Sequence, residues 1–157
     1  MKKRTFLVAV TALSIALLSA CGKDKQSAAA TEYFDKMNNF FESVKTLDTE
    51  INALDPEDTD SISQLFVYLE ELESQFKYLS EIDAPSEYDA TESLADEAYD
   101  YMVQATDYFA QSFTDNSYNE YTYAAGLECY KRANKRVQYI ISLIHGEDIT
   151  DENVTVE

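Results

Sequence analysis

The chain has 157 residues, with 30 acidic and 12 basic side chains and a formal net charge of −18. This charge excludes classes of protein that bind nucleic acid or anionic lipid headgroups through clustered Lys and Arg. It indicates a strongly solvated surface that resists non-specific adhesion. Binding of a cationic partner or of metal ions is the alternative interpretation.

The N-terminus has the pattern of a secretory signal peptide. A basic segment, Lys2–Arg4, precedes an apolar run from Phe6 to Leu18. That run is shorter than the ~20 residues that a transmembrane helix needs, and small residues follow it. We therefore predict that residues 1–20 are a lipoprotein signal peptide; an ordinary secretory signal or an uncleaved transmembrane helix is the alternative.

The four residues Leu18-Ser19-Ala20-Cys21 end this segment. They resemble the lipobox of bacterial lipoproteins. The resemblance implies cleavage before Cys21 and attachment of a diacylglycerol to its sulfur, with fatty acyl chains such as palmitate. It places the protein on the extracytoplasmic face of a cell membrane, held there by lipid. Removal of residues 1–20 leaves 137 residues with 9 basic and 30 acidic side chains, a net charge of −21.

The mature chain is poor in residues that break helices. Residues 21–30 lack an apolar period and are predicted to be a flexible tether. Beyond residue 30 the prolines and glycines are few: Pro56, Pro85, Gly126 and Gly146. So few turn-forming residues favour long helices over strands.

Two heptad patterns predict the first two helices. The first ends before Pro56, because the residue before a proline avoids the helical region. Asp60 or Ser61 can cap the second, and Ser61 with Gln64 fits a capping box. The predicted buried positions are Tyr33, Met37, Phe40, Val44, Leu47, Ile51 and Leu54 in the first helix, and Ile62, Leu65, Leu69, Leu72, Phe76 and Leu79 in the second.

The third and fourth helices are separated by a break at residues 115–117. Ser117 with Glu120 fits a second capping box, and Gly146 fits a left-handed helix stop. The predicted buried positions in the third helix are Leu94, Ala98, Tyr101, Ala105 and Tyr108, flanked by Met102, Phe109 and Phe113. Those in the fourth helix are Tyr123, Tyr130, Ala133, Val137, Ile140 and Ile144, with Leu127 and Ile141 beside them.

These elements predict an all-α fold after the signal peptide. Residues 31–146 are expected to form an antiparallel, up-down four-helix bundle, because the 3-4 spacing favours packing near 20°. A three-helix arrangement with the first helix detached is the alternative. Residues 147–157 are acidic and aperiodic and are predicted to be a disordered tail.

The sequence supports no catalytic, cofactor-binding or metal-binding residue. The one histidine, His145, has Ser142 rather than Glu three residues before it, so the Glu-x-x-His pair of di-iron bundles is absent. With Cys21 acylated, Cys129 has no partner for a disulfide. We interpret Cys129 as a small buried hydrophobic residue; a reactive thiol is the alternative.

Tyrosines and one basic cluster are the other candidates for a partner surface. Tyr101, Tyr108, Tyr123 and Tyr130 fall in the third and fourth helices, where Gly126 indicates close helix packing or a cleft. The basic residues Lys131, Arg132, Lys135 and Arg136 are interpreted as ion-pair partners of neighbouring helices, with a docking patch as the alternative.

In general character the chain is similar to small bacterial lipoproteins with helical ectodomains. We expect a non-enzymatic interaction or accessory protein of the cell envelope, with a monomeric ectodomain and an unknown envelope protein as its partner. The alternative is a module that binds a small molecule or peptide in a cleft lined by the four tyrosines.

Overall fold

The computed structural model describes residues 27–55, 58, 60–114 and 117–147. Within those residues it contains four helices and a short antiparallel ladder, so the predicted all-α class is confirmed. The predicted signal peptide, Cys21 and residues 148–157 of the predicted tail lie outside the described residues. The elements are α1 (Ala28–Asn52), α2 (Asp60–Ser80), α3 (Ala90–Ser112), β1 (Phe113–Thr114), β2 (Ser117–Tyr118) and α4 (Glu120–Ile144).

Helix α1 begins at Ala28, three residues before the predicted start of the bundle. Ser27 causes this, because its hydroxyl oxygen accepts the Ala30 N–H at 3.1 Å and so satisfies a free donor of the first turn. The last residues assigned to the tether are therefore helical. The last predicted position, Leu54, lies beyond the end of α1 at Asn52 and is half-buried. The rest of the predicted heptad face is buried: Tyr33, Met37, Phe40, Val44, Leu47 and Ile51.

Helix α2 begins at Asp60, and the carboxylate of Asp58 accepts the Asp60 N–H at 3.1 Å. Ser61 lies inside the first turn, so the predicted capping role of Ser61 with Gln64 is wrong. The predicted apolar face is confirmed, with Ile62 half-buried at its edge and five residues buried: Leu65, Leu69, Leu72, Phe76 and Leu79.

The buried face of α3 agrees only in part with the predicted one. Tyr101 is half-buried and Tyr108 is 37% exposed, so neither belongs to the centre of the core. Ala98 and Ala105 are fully buried as predicted, and Leu94 is half-buried. Met102 and Phe109, which were expected to flank this face, are buried in its centre, because small side chains let α3 approach its neighbours while tyrosine rings remain at the margin. The buried residues are Thr91, Ala95, Ala98, Met102, Ala105, Phe109 and Ser112.

Strands β1 and β2 pair antiparallel between α3 and α4, with Phe113 opposite Tyr118. Asn119 then caps α4, because its side-chain oxygen accepts the N–H groups of Tyr121 and Thr122 at 3.1 and 3.2 Å. The predicted capping box of Ser117 with Glu120 is wrong, since Ser117 lies in β2 and α4 already begins at Glu120.

Helix α4 buries the predicted face and stops where predicted. Gly146 has φ of +70°, and its N–H donates to the Leu143 carbonyl at 3.1 Å. The Glu147 N–H donates to the Ser142 carbonyl at 2.9 Å, which completes a Schellman motif. The confirmed buried positions are Tyr123, Tyr130, Ala133, Val137, Ile140 and Ile144.

The four helices share one hydrophobic core, and they pack in chain order: α1 on α2, α2 on α3, and α3 on α4. The α1 helix is therefore not detached. The ring of Phe40 meets that of Phe76 with centroids 5.6 Å apart. The Tyr33 hydroxyl lies 2.8 Å from the Thr91 hydroxyl, which brings the beginnings of α1 and α3 together.

Candidate functional site

The four candidate tyrosines lie in different environments. Tyr101 is half-buried on the surface of α3, and Tyr108 is 37% exposed nearer the end of that helix. Tyr123 and Tyr130 are both buried on α4, with 7% and 3% of their surfaces exposed. The tyrosines thus divide between two surface positions and two core positions.

Tyr101 forms a small polar cluster with the predicted basic residues. The guanidinium carbon of Arg136 lies 4.8 Å from the Tyr101 ring centroid, and that of Arg132 lies 5.8 Å away. Arg136 also donates to the Glu97 carboxylate at 2.9 Å, so it links α4 to α3 by an ion pair and a cation–π contact.

This cluster confirms cross-helix ion pairing for Arg136. Arg132 instead donates to Glu128 of its own helix at 3.4 Å. The Lys135 ammonium lies 5.6 Å from the Tyr139 ring centroid, whereas Lys131 is exposed. Three of the four basic residues therefore engage groups of the chain itself, which leaves little of the cluster for a docking patch.

Tyr123 belongs to an aromatic cluster at the α3–α4 connection. Its ring centroid lies 5.1 Å from that of Phe109, 5.7 Å from Tyr118 and 6.0 Å from Phe113. The Phe113 ring in turn contacts Phe66 of α2 at 5.8 Å. Burial raises the pKa of the Tyr123 hydroxyl to about 12, so this tyrosine stays neutral and packs as an aromatic residue.

The Tyr130 hydroxyl is buried and close to two polar groups. Burial raises its pKa well above the usual range, the nearby Asn134 side chain lowers it, and the negative charge of Asp48 on α1 raises it. Among the described residues the Tyr130 and Tyr123 hydroxyls have no partner of ordinary hydrogen-bond geometry. Asp48 is half-buried beside α4, and its carboxylate accepts from the Asn52 amide at 3.0 Å.

Gly126 lies at a close contact between α3 and α4. A Cβ atom built at Gly126 would lie 2.8 and 2.9 Å from two ring carbons of Phe109, and 3.3 Å from the carbonyl oxygen of Ala105. The close-packing interpretation of Gly126 is therefore confirmed. The α3–α4 interface is closed at this level, between the tyrosines expected to line a cleft.

A small cavity lies at the other end of the molecule, near the start of α1. The Thr91 hydroxyl donates to the Tyr88 carbonyl at 2.7 Å, so the Tyr33 hydroxyl donates its own proton to Thr91. The cavity beside them measures about 10 Å³, the space of one water molecule. Its lining is Tyr33, Met37, Leu79, Ile82, Thr91, Glu92, Ala95 and Ile140, which sequence reasoning did not single out as a site.

The remaining chemical candidates can be placed within the described residues. Cys129 is a free thiol that is 9% exposed, and burial raises its pKa, so the buried interpretation is confirmed. His145 is exposed and caps the end of α4. The described part of the chain has no group of three or more His, Cys, Asp or Glu side chains arranged to hold a metal ion.

A search of the described residues for a helix long and apolar enough to cross a membrane finds none. Comparison with known proteins adds no relative: no family model, no curated protein and no solved structure matches this chain.

Proposed function

We propose that this chain is a lipid-anchored, extracytoplasmic lipoprotein that serves as a non-enzymatic interaction or accessory protein of the cell envelope. The observation that carries the proposal is the segment Leu18–Cys21 after a basic and apolar leader. Helix α1 begins at Ala28, so the link from Cys21 to the folded part spans at most about 25 Å. Such a short link would hold the helical domain close to the membrane.

For the folded part we propose the antiparallel, up-down arrangement of the four helices. The contacts that support it join early residues of one helix to late residues of the next. Phe40, at the middle of α1, meets Phe76 near the end of α2, and Glu97 near the start of α3 meets Arg136 in the second half of α4. The Tyr33–Thr91 hydrogen bond supports a parallel direction for α1 and α3, which an up-down order requires.

The test of the anchor is a Cys21→Ser substitution in the full chain. We expect the variant to lose metabolic labelling with a palmitate analogue and to leave the membrane fraction, because two or three acyl chains are needed for stable anchoring. Cys129→Ser is the matched control and should retain both the label and the membrane association. Labelling of the Cys21→Ser variant would overturn the lipobox assignment.

The second candidate, a binding module with a cleft lined by Tyr101, Tyr108, Tyr123 and Tyr130, has less support. The close approach of Phe109 to Gly126 leaves no room between α3 and α4 at that level. Two of the four rings lie in the core and two at the surface, so they do not converge on one ligand.

A further inference from the structure

The end of the molecule that carries β1 and β2 exposes aromatic side chains. Tyr121 is 89% exposed, and Tyr118 and Tyr108 are 40% and 37% exposed. Val67, which is 47% exposed, follows Phe66, whose ring contacts Phe113 in β1. These are the large exposed apolar residues of the described part of the chain. Tyr118 and Tyr121 lie at the α3–α4 connection, Tyr108 lies in the last five residues of α3, and Val67 lies in the first half of α2.

This end lies far from the point where the chain enters the fold. Thr91, near the start of α3, contacts Tyr33 in α1, while β1 begins directly after Ser112. At a rise of 1.5 Å per residue, α3 separates the two ends by about 30 Å. With the chain tethered through Cys21, the exposed tyrosines would face away from the membrane.

Positive charge is missing from the segments that build this end. The sequence has no Lys or Arg from residue 46 to 76 or from residue 78 to 130. Asp107 and Glu120, which directly precede Tyr108 and Tyr121 in the sequence, are exposed, as is Asp60 at the start of α2. A second copy of the chain would present the same negative charge, and anionic lipid or nucleic acid would be repelled as well.

We infer that Tyr108, Tyr118, Tyr121, Asp107 and Glu120 form a docking surface for a Lys- and Arg-rich segment of a partner protein. Carboxylates pair with ammonium and guanidinium groups, and exposed tyrosine rings accept the same cations on their faces. The inference rests on the proposed function, for which it supplies the partner's chemistry.

The test is a titration of the full chain, purified in a non-ionic detergent, with a fluorescent oligo-arginine peptide. Tyr121→Ser should weaken binding about two- to fivefold, the loss expected for one exposed cation–π contact. Tyr121→Phe keeps the ring and should bind as the unsubstituted chain does. A loss in Tyr121→Phe equal to that in Tyr121→Ser would overturn the role assigned to the ring.

Neutralising acidic residues at chosen positions shows whether the peptide binds at this surface or is attracted by the negative charge of the whole protein. The pair Asp107→Asn with Glu120→Gln should weaken binding by about fivefold or more, since two surface charge contacts are lost. The matched control is Asp83→Asn with Glu87→Gln, which removes the same charge at the other end and should change binding less than about twofold. Equal weakening by both pairs, or binding of an oligo-glutamate peptide, would overturn the inference.

Two further measurements test whether a second copy of the chain occupies the surface and whether peptide binding depends on the lipid anchor. Analytical ultracentrifugation showing a dimer that Tyr121→Ser dissociates would overturn the inference in favour of a second copy of the chain. The same peptide titration on Cys21→Ser should give an unchanged affinity, because the surface lies at the end away from the tether. A failure of lipidation therefore leaves this result standing, and a failure of peptide binding leaves the anchor standing.

Discussion

At Gly126 the α3 and α4 helices are too close for any larger residue without rearrangement. Gly126→Leu should destabilise the protein by about 3 kcal/mol, because the added side chain meets the buried Phe109 ring, and overpacking outweighs the gain in helix propensity. Chemical denaturation measures the change. Ala124→Leu, at an exposed position of the same helix, is the matched control and should have little effect. Unchanged stability in Gly126→Leu would contradict the close contact.

Asp48 gives the protein a pH-dependent penalty. Desolvation raises its pKa from 3.8 to about 6, although the Asn52 amide opposes the shift. As the pH rises, Asp48 therefore loses its proton at a lower pH in the unfolded chain than in the folded protein. The free energy of unfolding accordingly falls between about pH 4 and about pH 6. Because the side chain is only half-buried, solvent screening limits the penalty to about 1 kcal/mol.

Asp48→Asn should thus be more stable than the unsubstituted chain at pH 7, with the difference vanishing near pH 3.5. Urea denaturation at several pH values measures it. Asp107→Asn removes an equal charge from an exposed position and controls for the general relief of negative charge. A gain from Asp107→Asn as large as that from Asp48→Asn would assign the effect to net charge alone.

At the scale of elements, the start of α4 depends on one side chain. Asn119→Ala removes the acceptor of the Tyr121 and Thr122 N–H groups and should cost about 1 kcal/mol in thermal or chemical unfolding. Asn119→Ser restores a capping oxygen and should recover most of the loss. If the Ala and Ser variants unfold alike, the cap does not contribute to stability.

The long heptad patterns of α1, α2 and α4 made those buried faces predictable from the sequence, because repeated apolar spacing determines which side of a helix meets the core. The α3 face was not predictable in the same way. Tyr101 and Tyr108 have the size of core residues, but the place of Tyr101 at the margin depends on contacts from α4, such as that of Arg136, and these are distant in sequence. The four tyrosines expected to line one cleft divide between the core and the surface, and this division also depends on contacts between residues that are distant in sequence.

The caps show a second limit of sequence reasoning. Ser117 with Glu120 satisfied a local rule, yet β1–β2 pairing placed Ser117 in a strand and left capping to Asn119. A ladder of two residues per strand has too little pattern to be predicted. By contrast Gly146 was predictable, since a left-handed stop needs only a glycine after a helix.

At the scale of the whole molecule, the single core makes each helix depend on the others. Leu72→Asp should destabilise the protein by about 3–5 kcal/mol, because it places an unpaired carboxylate in the centre of the core. A circular-dichroism melt measures the loss. Val67→Asp makes a comparable change at an exposed position of α2 and should be tolerated. Equal melting of the two variants would contradict the assigned core face.

The packing order also has a consequence for how the chain folds. The α3–α4 interface is the most extensive between any two of the described helices, and the two helices are connected by the seven residues 113–119, which include β1 and β2. Contacts between neighbours in sequence close at little entropic cost, so we expect this helical hairpin to form early. Helix α1 is synthesised first but has a smaller interface, so we expect it to dock late. Core substitutions in α3 and α4 should accordingly slow folding, whereas those in α1 should mainly speed unfolding.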